Sequence, residues 1–467
     1  MASATQQIKL LKSLIWLYLV LLLTEGALRK WVLPGFATPL LVVRDPLVVI
    51  IYMVAIPSRK FVINGFVAGC ILLAVASFAG SLIATDSNLI VTLIGLRCYF
   101  LHLPLIFVME KTLEAEDLWR MGKFLLWFTI PQTLLCVTQF SATQNHWSNL
   151  SIGGEVTEGM TGAAGHNRPS GTFSFTTGVA HFYPLALAAL LGFFITRRKL
   201  PWYLTIAAGV SIALAVPVSI SRTNALTCAL VLIVSGLAVF ALPNTPKLIV
   251  RTILLLGLVT FILSWLPHFD EGVGAFADRW SSSTGNDSSS FRTAIIGRFF
   301  KDLFPPLNLF FDTPLLGYGV GRGTLMAQGY LTGDRLFSLS EAEWPRLVME
   351  MGPVLGLAFI LLRVGLCARL VRMSLIALRR ANIWPALFSV PAFLLVLNAQ
   401  WSQTTTLGFA TFAAGLAFAA CHLKLPESKN HSAKRRYPKR PEWKERLYEP
   451  LPPPAAAPTL LSRPPPS

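Results

Sequence analysis

The chain has 467 residues, of which 54% are hydrophobic and 13% charged, and its mean hydropathy is +0.58. A soluble domain carries about a quarter charged residues, so this balance excludes a soluble globular fold and describes an integral membrane protein. The net charge of +17 does not point to nucleic acid, because of where it sits. The tail from Leu423 onward holds ten Lys or Arg against four Glu, and Arg363 to Arg380 holds five Arg and no acid. Such clusters beside apolar spans mark the cytoplasmic side.

Apolar runs of the length that crosses a bilayer, roughly 17 to 25 residues, fall near 9–27, 38–56, 61–84, 88–109, 121–140, 173–195, 202–220, 223–242, 248–266, 346–370, 384–401 and 403–422. They do not alternate, which excludes a barrel and predicts an all-α polytopic membrane helix bundle of about twelve transmembrane helices. The first run follows "QQIKLLK" without a small-residue cleavage site behind it, so it is expected as a retained helix. Cys70, Cys98, Cys136, Cys228, Cys367 and Cys421 lie in or beside spans without CxxC spacing, which argues against a disulfide framework or a zinc site.

The basic turn "TRRKLP" places the end of the sixth span in the cytoplasm. Alternation from there puts "PSRK", the Arg363–Arg380 stretch and both termini on the same side, and leaves Arg29 and Lys30 outside, against the rule. Two long external segments follow, 141–172 and 267–345, and connections of that length are often functional. The second contains "GRFFKDLFPPLNLFF", which suits a segment lying on the membrane surface or a buried loop helix. Residues 1–422 then form the membrane unit. Residues 423–467, ending in the Pro-rich "LPPPAAAPTLLSRPPPS", are expected to be a disordered cytoplasmic tail.

Arginines recur on the external side: Arg168 in "GHNRPSGTF", Arg222 in "SISRTNA", and Arg279, Arg292, Arg298, Arg322 and Arg335 in the long loop. An anionic partner outside would explain them. Arg222 is the sharpest case, in a short turn between two spans where a charge usually faces a cavity or a partner; the plain alternative is a snorkelling interfacial side chain. Guanidinium forks bind phosphate bidentately, so converging arginines suit a pyrophosphate. His166 shares a loop with Arg168 and can hydrogen-bond a sugar or phosphate, whereas His102 and His181 sit in spans as satisfied polar residues of the bundle. "LGYGVGRG" lacks the strand and βαβ context of a nucleotide loop and is expected as a flexible turn. No HExxH or carboxylate run suggests a metal.

In their order these pieces resemble the O-antigen ligase and O-antigen polymerase superfamily. "RPSGTFSFTTGVAHFYPLALAALL" resembles the segment after its first large external loop, and "SISRTNALTCALVL" its Ser-Arg turn between two helices. "FRTAIIGRFFKDLFPPLNLFFDTPLLGYGVGRG" is similar to its loop arginine followed by "PLLG.G". "LSEAEWPRLVMEMGPVLGL" is similar to the end of the large loop entering the next helix. The resemblance covers roughly residues 165 to 365.

It implies a GT-C-like, inverting, metal-independent glycosyltransferase of the bacterial inner membrane that uses no cofactor. A glycan would pass from an undecaprenyl-pyrophosphate donor to a sugar acceptor at the periplasmic face, with chain-length regulators and flippases as candidate partners. By position Arg222 matches the turn arginine, and Arg292, or alternatively Arg298, the loop arginine; Arg168, Arg322, Arg346 and His166 complete the substrate-binding candidates. The ligases carry a histidine that falls on Glu341 here, so a carboxylate stands in its place, and Glu341 or Glu343 is the expected base for the acceptor hydroxyl. Both readings of the segment stay open: a catalytic carboxylate, or a helix start with Glu343 and Arg346 paired at i, i+3.

The missing histidine favours polymerisation of O-antigen or exopolysaccharide over ligation onto lipid A-core. The alternative of another class is a transporter or flippase for an anionic lipid or polysaccharide. Such a protein would place its polar residues near mid-membrane in corresponding broken helices of two repeats.

Overall fold

The structure, a computed structural model, describes residues 4–84, 88–156, 162–240, 250–251, 254, 257–259, 261–284, 309, 311–324, 327 and 342–423. The basic tail lies outside the described residues, as does most of "GRFFKDLFPPLNLFF". Helices, in chain order, are α1 (Ala4–Ala27), α2 (Arg44–Ala55), α3 (Gly65–Ile83), α4 (Leu89–Leu96), α5 (Leu103–Thr112), α6 (Ala115–Ser141), α7 (Thr176–Thr196), α8 (Trp202–Val218), α9 (Arg222–Phe240), α10 (Pro267–Thr284), α11 (Glu343–Arg379), α12 (Trp384–Leu397) and α13 (Thr404–Cys421). Among the described residues nine helical segments are long and apolar enough to cross a membrane, and α8 and α12 are apolar but shorter. Residues 257–259 and 261–263 are helical as well, inside the expected span 248–266.

Local chemistry sets the helix ends. Asn64 caps α3 by accepting from the N–H groups of Phe66 and Val67, and Asn88 caps α4 in the same way. Glu114 and Asp117 form a capping box at the start of α6, satisfying donors that have no intrahelical partner. Two helices change pitch instead of stopping: α1 runs into a π-helical turn, Leu28–Val32, and α4 into another, Arg97–Leu101.

The centre of the bundle is α7 and α13, whose apolar windows are 89% and 94% buried against 22% to 67% for the other spanning segments. Their small residues make this possible, since close backbone approach replaces the hydrophobic drive that lipid removes. The connections sort to two ends. Lys12 pairs with Asp117 at 2.7 Å, and Glu110 meets Arg369 at 3.2 Å and His422 at 2.9 Å at one end. At the other, Trp31 Nε1 donates to Trp147 O at 2.9 Å and Thr172 Oγ1 to Leu23 O at 2.7 Å.

The segment 267–345, expected as a large external loop containing short helices, holds the helix α10. Two other sequence expectations change. The expected span 384–401 stops at Leu397, and residues 398–403 turn inside the protein. The expected single span 346–370 is two arms. Gly352 (φ 79°, ψ 165°) breaks α11 just before Pro353, and the arm 343–351 folds back along the rest. Arg363 Nη1 thus donates to Glu343 Oε1 at 2.8 Å, where a straight helix would hold these residues roughly 30 Å apart. The re-entrant arm is buried in protein, the condition under which broken helices are tolerated at membrane depth.

The "LGYGVGRG" loop closes the tip of this hairpin. Tyr318 N and Gly319 N donate to Met349 O and Glu350 O at 2.8 and 3.1 Å, carbonyls that the helix break leaves open. The Glu350 carboxylate, fully buried, accepts from Gly321 N and Gly323 N, each at 2.8 Å. Far from flexible, the loop lies backbone to backbone on α4: a Cβ on Gly321 (φ 94°) would sit 2.9 Å from Gly95 Cα. A side chain at Gly352 would collide with the Leu315 carbonyl oxygen and lie 2.8 Å from Gly317 N, at a φ that costs an L-residue about 1–2 kcal/mol before any clash. Gly352→Ala should therefore lower the melting temperature of the detergent-solubilised protein. Gly236→Ala, whose Cβ would meet nothing within 4 Å, should leave it unchanged or raise it; equal melting of both would contradict this packing.

Candidate functional site

A cavity of about 270 Å³, its wall part polar and part apolar, lies where α7, α9, α11, α12 and α13 meet. Thr177 and His181 come from α7, Arg222 and Thr223 from α9, Ala342 and Glu343 from the re-entrant arm, and Asn398, Gln400, Gln403 and Thr406 from the turn after α12 and from α13. The N-termini of α7, α9, α11 and α13 converge here, so the positive ends of four helix dipoles add to the potential of Arg222.

Arg222 stands at the first residue of α9, beyond a tight turn in which Ile220 adopts φ 45°. The Ser221 hydroxyl caps the helix by accepting from Asn224 N at 3.3 Å, and Asn224 Nδ2 donates to Ser219 Oγ at 3.1 Å. This Ser-Arg-Thr-Asn turn fixes where the arginine leaves the backbone. Opposite, His181 Nε2 lies 3.3 Å from Thr406 Oγ1.

Glu343 forms the floor. Its Oε1 accepts from Arg363 Nη1 at 2.8 Å and from Trp401 N at 3.1 Å, and its Oε2 is held by Arg346. Arg363 is fully buried; it also donates from Nε to Val396 O at 2.6 Å and from Nη2 to Ala399 O at 2.9 Å, and stacks 4.3 Å over the Trp401 ring. One guanidinium therefore ties the hairpin base to the open carbonyl end of α12, where a cation is favoured. The Glu343–Arg346 pair expected at i, i+3 is present, and it is interior.

Of the sequence candidates, the structure brings Arg222 and Glu343 to one cavity. Arg346, 4% exposed, lies behind Glu343 and reaches toward Glu350 at 3.9 Å. Arg322, 8% exposed, belongs to the loop at the hairpin tip. Arg168 packs beside the Ser-Arg turn: its Cγ and Ile220 Cδ1 both lie within 3.2 Å of the point where a Gly162 side chain would begin. His166 stacks on Phe140 with ring centroids 4.0 Å apart. Glu341, Arg292 and Arg298 lie outside the described residues. His102 is a satisfied interior group, between Tyr18 Oη at 3.0 Å and Asp45 at 2.9 Å.

His181 was read from the sequence as a bundle residue and is instead part of the cavity wall; its i, i+4 spacing from Thr177 was the available signal. Below the cavity, α7 and α9 continue into an apolar groove of about 510 Å³ lined by Leu187, Leu191, Cys228, Leu232, Val239 and Val259 among others. Arg222 heads the same helix that supplies this groove, roughly 9 Å above Cys228 at 1.5 Å per residue. Among the described residues no group of three or more His, Cys, Asp or Glu side chains is placed to hold a metal ion. The chain matches no protein-family model and no curated protein.

Removing one partner of a buried ion pair leaves the other charge uncompensated, at a cost of about 3–5 kcal/mol. Glu343→Ala should thus sharply reduce the thermal stability and folded yield of the purified protein, since it strands Arg346 and Arg363 together. Unchanged stability with lost turnover would instead make Glu343 a purely chemical group.

Proposed function

We propose that this chain is a GT-C-like membrane glycan transferase of about twelve spans, acting on a lipid-pyrophosphate-linked glycan at the external face of the bacterial inner membrane. The observation that carries the reading is the succession along one helix, α9, of a cavity that holds Arg222 and then an apolar groove. A polyprenyl pyrophosphate has that chemistry, a dianionic head on a long hydrocarbon tail. Arg222 and the converging helix ends receive the head, and the groove between α7 and α9 receives the tail.

In the transfer, the acceptor hydroxyl attacks the anomeric carbon of the donor sugar. A carbon–oxygen bond forms, the bond to pyrophosphate breaks, and the lipid pyrophosphate leaves with the bonding pair. Positive groups around the leaving oxygens stabilise that charge as it develops. The acceptor proton passes to a carboxylate, for which Glu341 is the assigned base; it directly precedes Ala342 of the cavity wall. Glu343, with both oxygens already engaged, orients the floor. Polymerisation is the preferred reaction, and ligation onto lipid A-core differs only in the acceptor.

A flippase is the second reading. It draws support from the charges held inside the bundle beside the pitch changes after α1 and α4, a placement typical of transport sites. A deletion strain separates the two. Loss of a transferase should leave undecaprenyl-linked repeat units on the outer leaflet with no polymer, whereas loss of a flippase should leave them on the inner leaflet.

Three further experiments test the proposal. Reporters fused after Lys199 and Arg380 should read cytoplasm and those at Asn149 and Gly285 periplasm; a cytoplasmic cavity face would overturn it. Arg222→Lys keeps charge but loses the planar fork, so polymer formation should fall by about a hundredfold or more at normal membrane abundance. Normal polymer from Arg222→Ala would remove the head-group site. Glu341→Gln should depress turnover by a similar factor with donor binding retained.

A further inference from the structure

Across Thr177 and Gln403, which line both spaces, a second chamber of about 270 Å³ adjoins the cavity. Two guanidiniums face it, Arg29 and Arg97, together with the hydroxyl groups of Ser174, Ser402 and Thr404 and the ring of Phe175, which is 44% exposed. Both arginines sit in the π-helical turns, Leu28–Val32 and Arg97–Leu101, a pitch change that frequently marks functional positions.

The charge around this chamber does not balance. Arg29 and Arg44 are 5% and 1% exposed, and with Arg97 they make three guanidiniums against the two carboxylates of Glu25 and Asp45. Glu25 is shared between Arg44 at 2.9 Å and Arg29 at 3.6 Å, and Asp45 between Arg97 and His102. Lys30 reaches only Ser170 Oγ and Gly171 O. Arg29 spends Nε on Ala37 O and Nη1 on Ser174 Oγ, leaving Nη2 without a hydrogen bond among the described residues. Excess buried cations are costly in a membrane interior unless an anion meets them. Here the excess borders a chamber whose remaining wall combines hydroxyls and the Gln403 amide with the apolar faces of Leu41, Ile152 and Phe175.

We propose that this chamber binds an acidic sugar of the glycan, its carboxylate on Arg29 and Arg97, its hydroxyls on Ser174, Ser402 and Thr404, and its apolar ring face on Phe175. Guanidinium forks match a carboxylate bidentately, and aligned hydroxyls match a pyranose. The assignment deepens the transferase reading, on which it rests for the presence of a glycan in the neighbouring cavity. It makes the product an acidic polysaccharide, with a uronic acid or a carboxylate-bearing substituent one sugar removed from the reacting anomeric carbon.

The test uses the purified full-length protein and three probes: methyl glucuronide, methyl glucoside and glucose 6-phosphate, followed by saturation-transfer NMR and calorimetry. The glucuronide should bind about tenfold or more tighter than the glucoside, the difference that charge-assisted hydrogen bonds supply. Arg97→Gln should abolish that preference. Because Arg97 also pairs with Asp45, Ser402→Phe provides a variant that fills the chamber with every charge in place, and it should lose glucuronide binding outright. Arg222→Ala should bind the glucuronide normally, so that failure here and failure of the head-group site are read separately. Equal binding of glucuronide and glucoside, preference for the phosphate ester, or glucuronide binding unchanged in Ser402→Phe would each overturn the proposal.

Discussion

The contact between Arg363 and Glu343 holds together everything that the cavity requires. A helix broken at Gly352 could splay, but the guanidinium grips the carboxylate at the far end of the short arm and the open carbonyls of α12 at the same time. The arm is thereby pinned beside Trp401 and the turn 398–403. Because both charges are fully desolvated, the pair is stabilising only as a complete set with Arg346, Trp401 N and the carbonyls. That completeness favours one arrangement of the floor, which the proposed transferase would use to position an acceptor.

A second carboxylate repeats the device at the other end of the arm. Glu350 receives two backbone N–H groups of the glycine loop, and the loop's own glycines allow it to lie on α4 without side chains between. The glycine loop is thus anchored to the hairpin at Met349 and Glu350 and to the bundle at Ser81. Sequence positions far apart, the glycine loop and the turn 398–403, are tied to one short helical arm by its two carboxylates.

Much of this was legible in the sequence because hydropathy reports lipid-facing length directly. The described spanning helices fall on the apolar runs, and the Ser-Arg turn signalled Arg222 through its charge between two spans. The hairpin was not legible, since residues 346–370 read as one apolar span despite Arg346, Glu350, Arg363 and Arg369, and hydropathy does not sense direction. The Gly352–Pro353 pair was the local signal, a residue free to take φ 79° followed by one that cannot continue the preceding hydrogen-bond ladder. Arg29 and Lys30 were visible as violations of the positive-inside pattern. Their meaning depended on Arg44, Asp45 and Arg97, which come from other helices and meet only in three dimensions. The glycine loop misled for a similar reason: glycines that permit close approach look the same in sequence whether a ligand or another helix approaches.

The account depends on a lipid pyrophosphate head meeting Arg222 while its tail lies along α9. Native mass spectrometry of the purified protein, offered equimolar undecaprenyl pyrophosphate and undecaprenyl monophosphate, measures this most directly. The wild-type protein should retain the pyrophosphate selectively, and Arg222→Ala should retain both lipids equally and weakly. Equal retention of the two lipids by wild-type protein, or selectivity undiminished in Arg222→Ala, would contradict it.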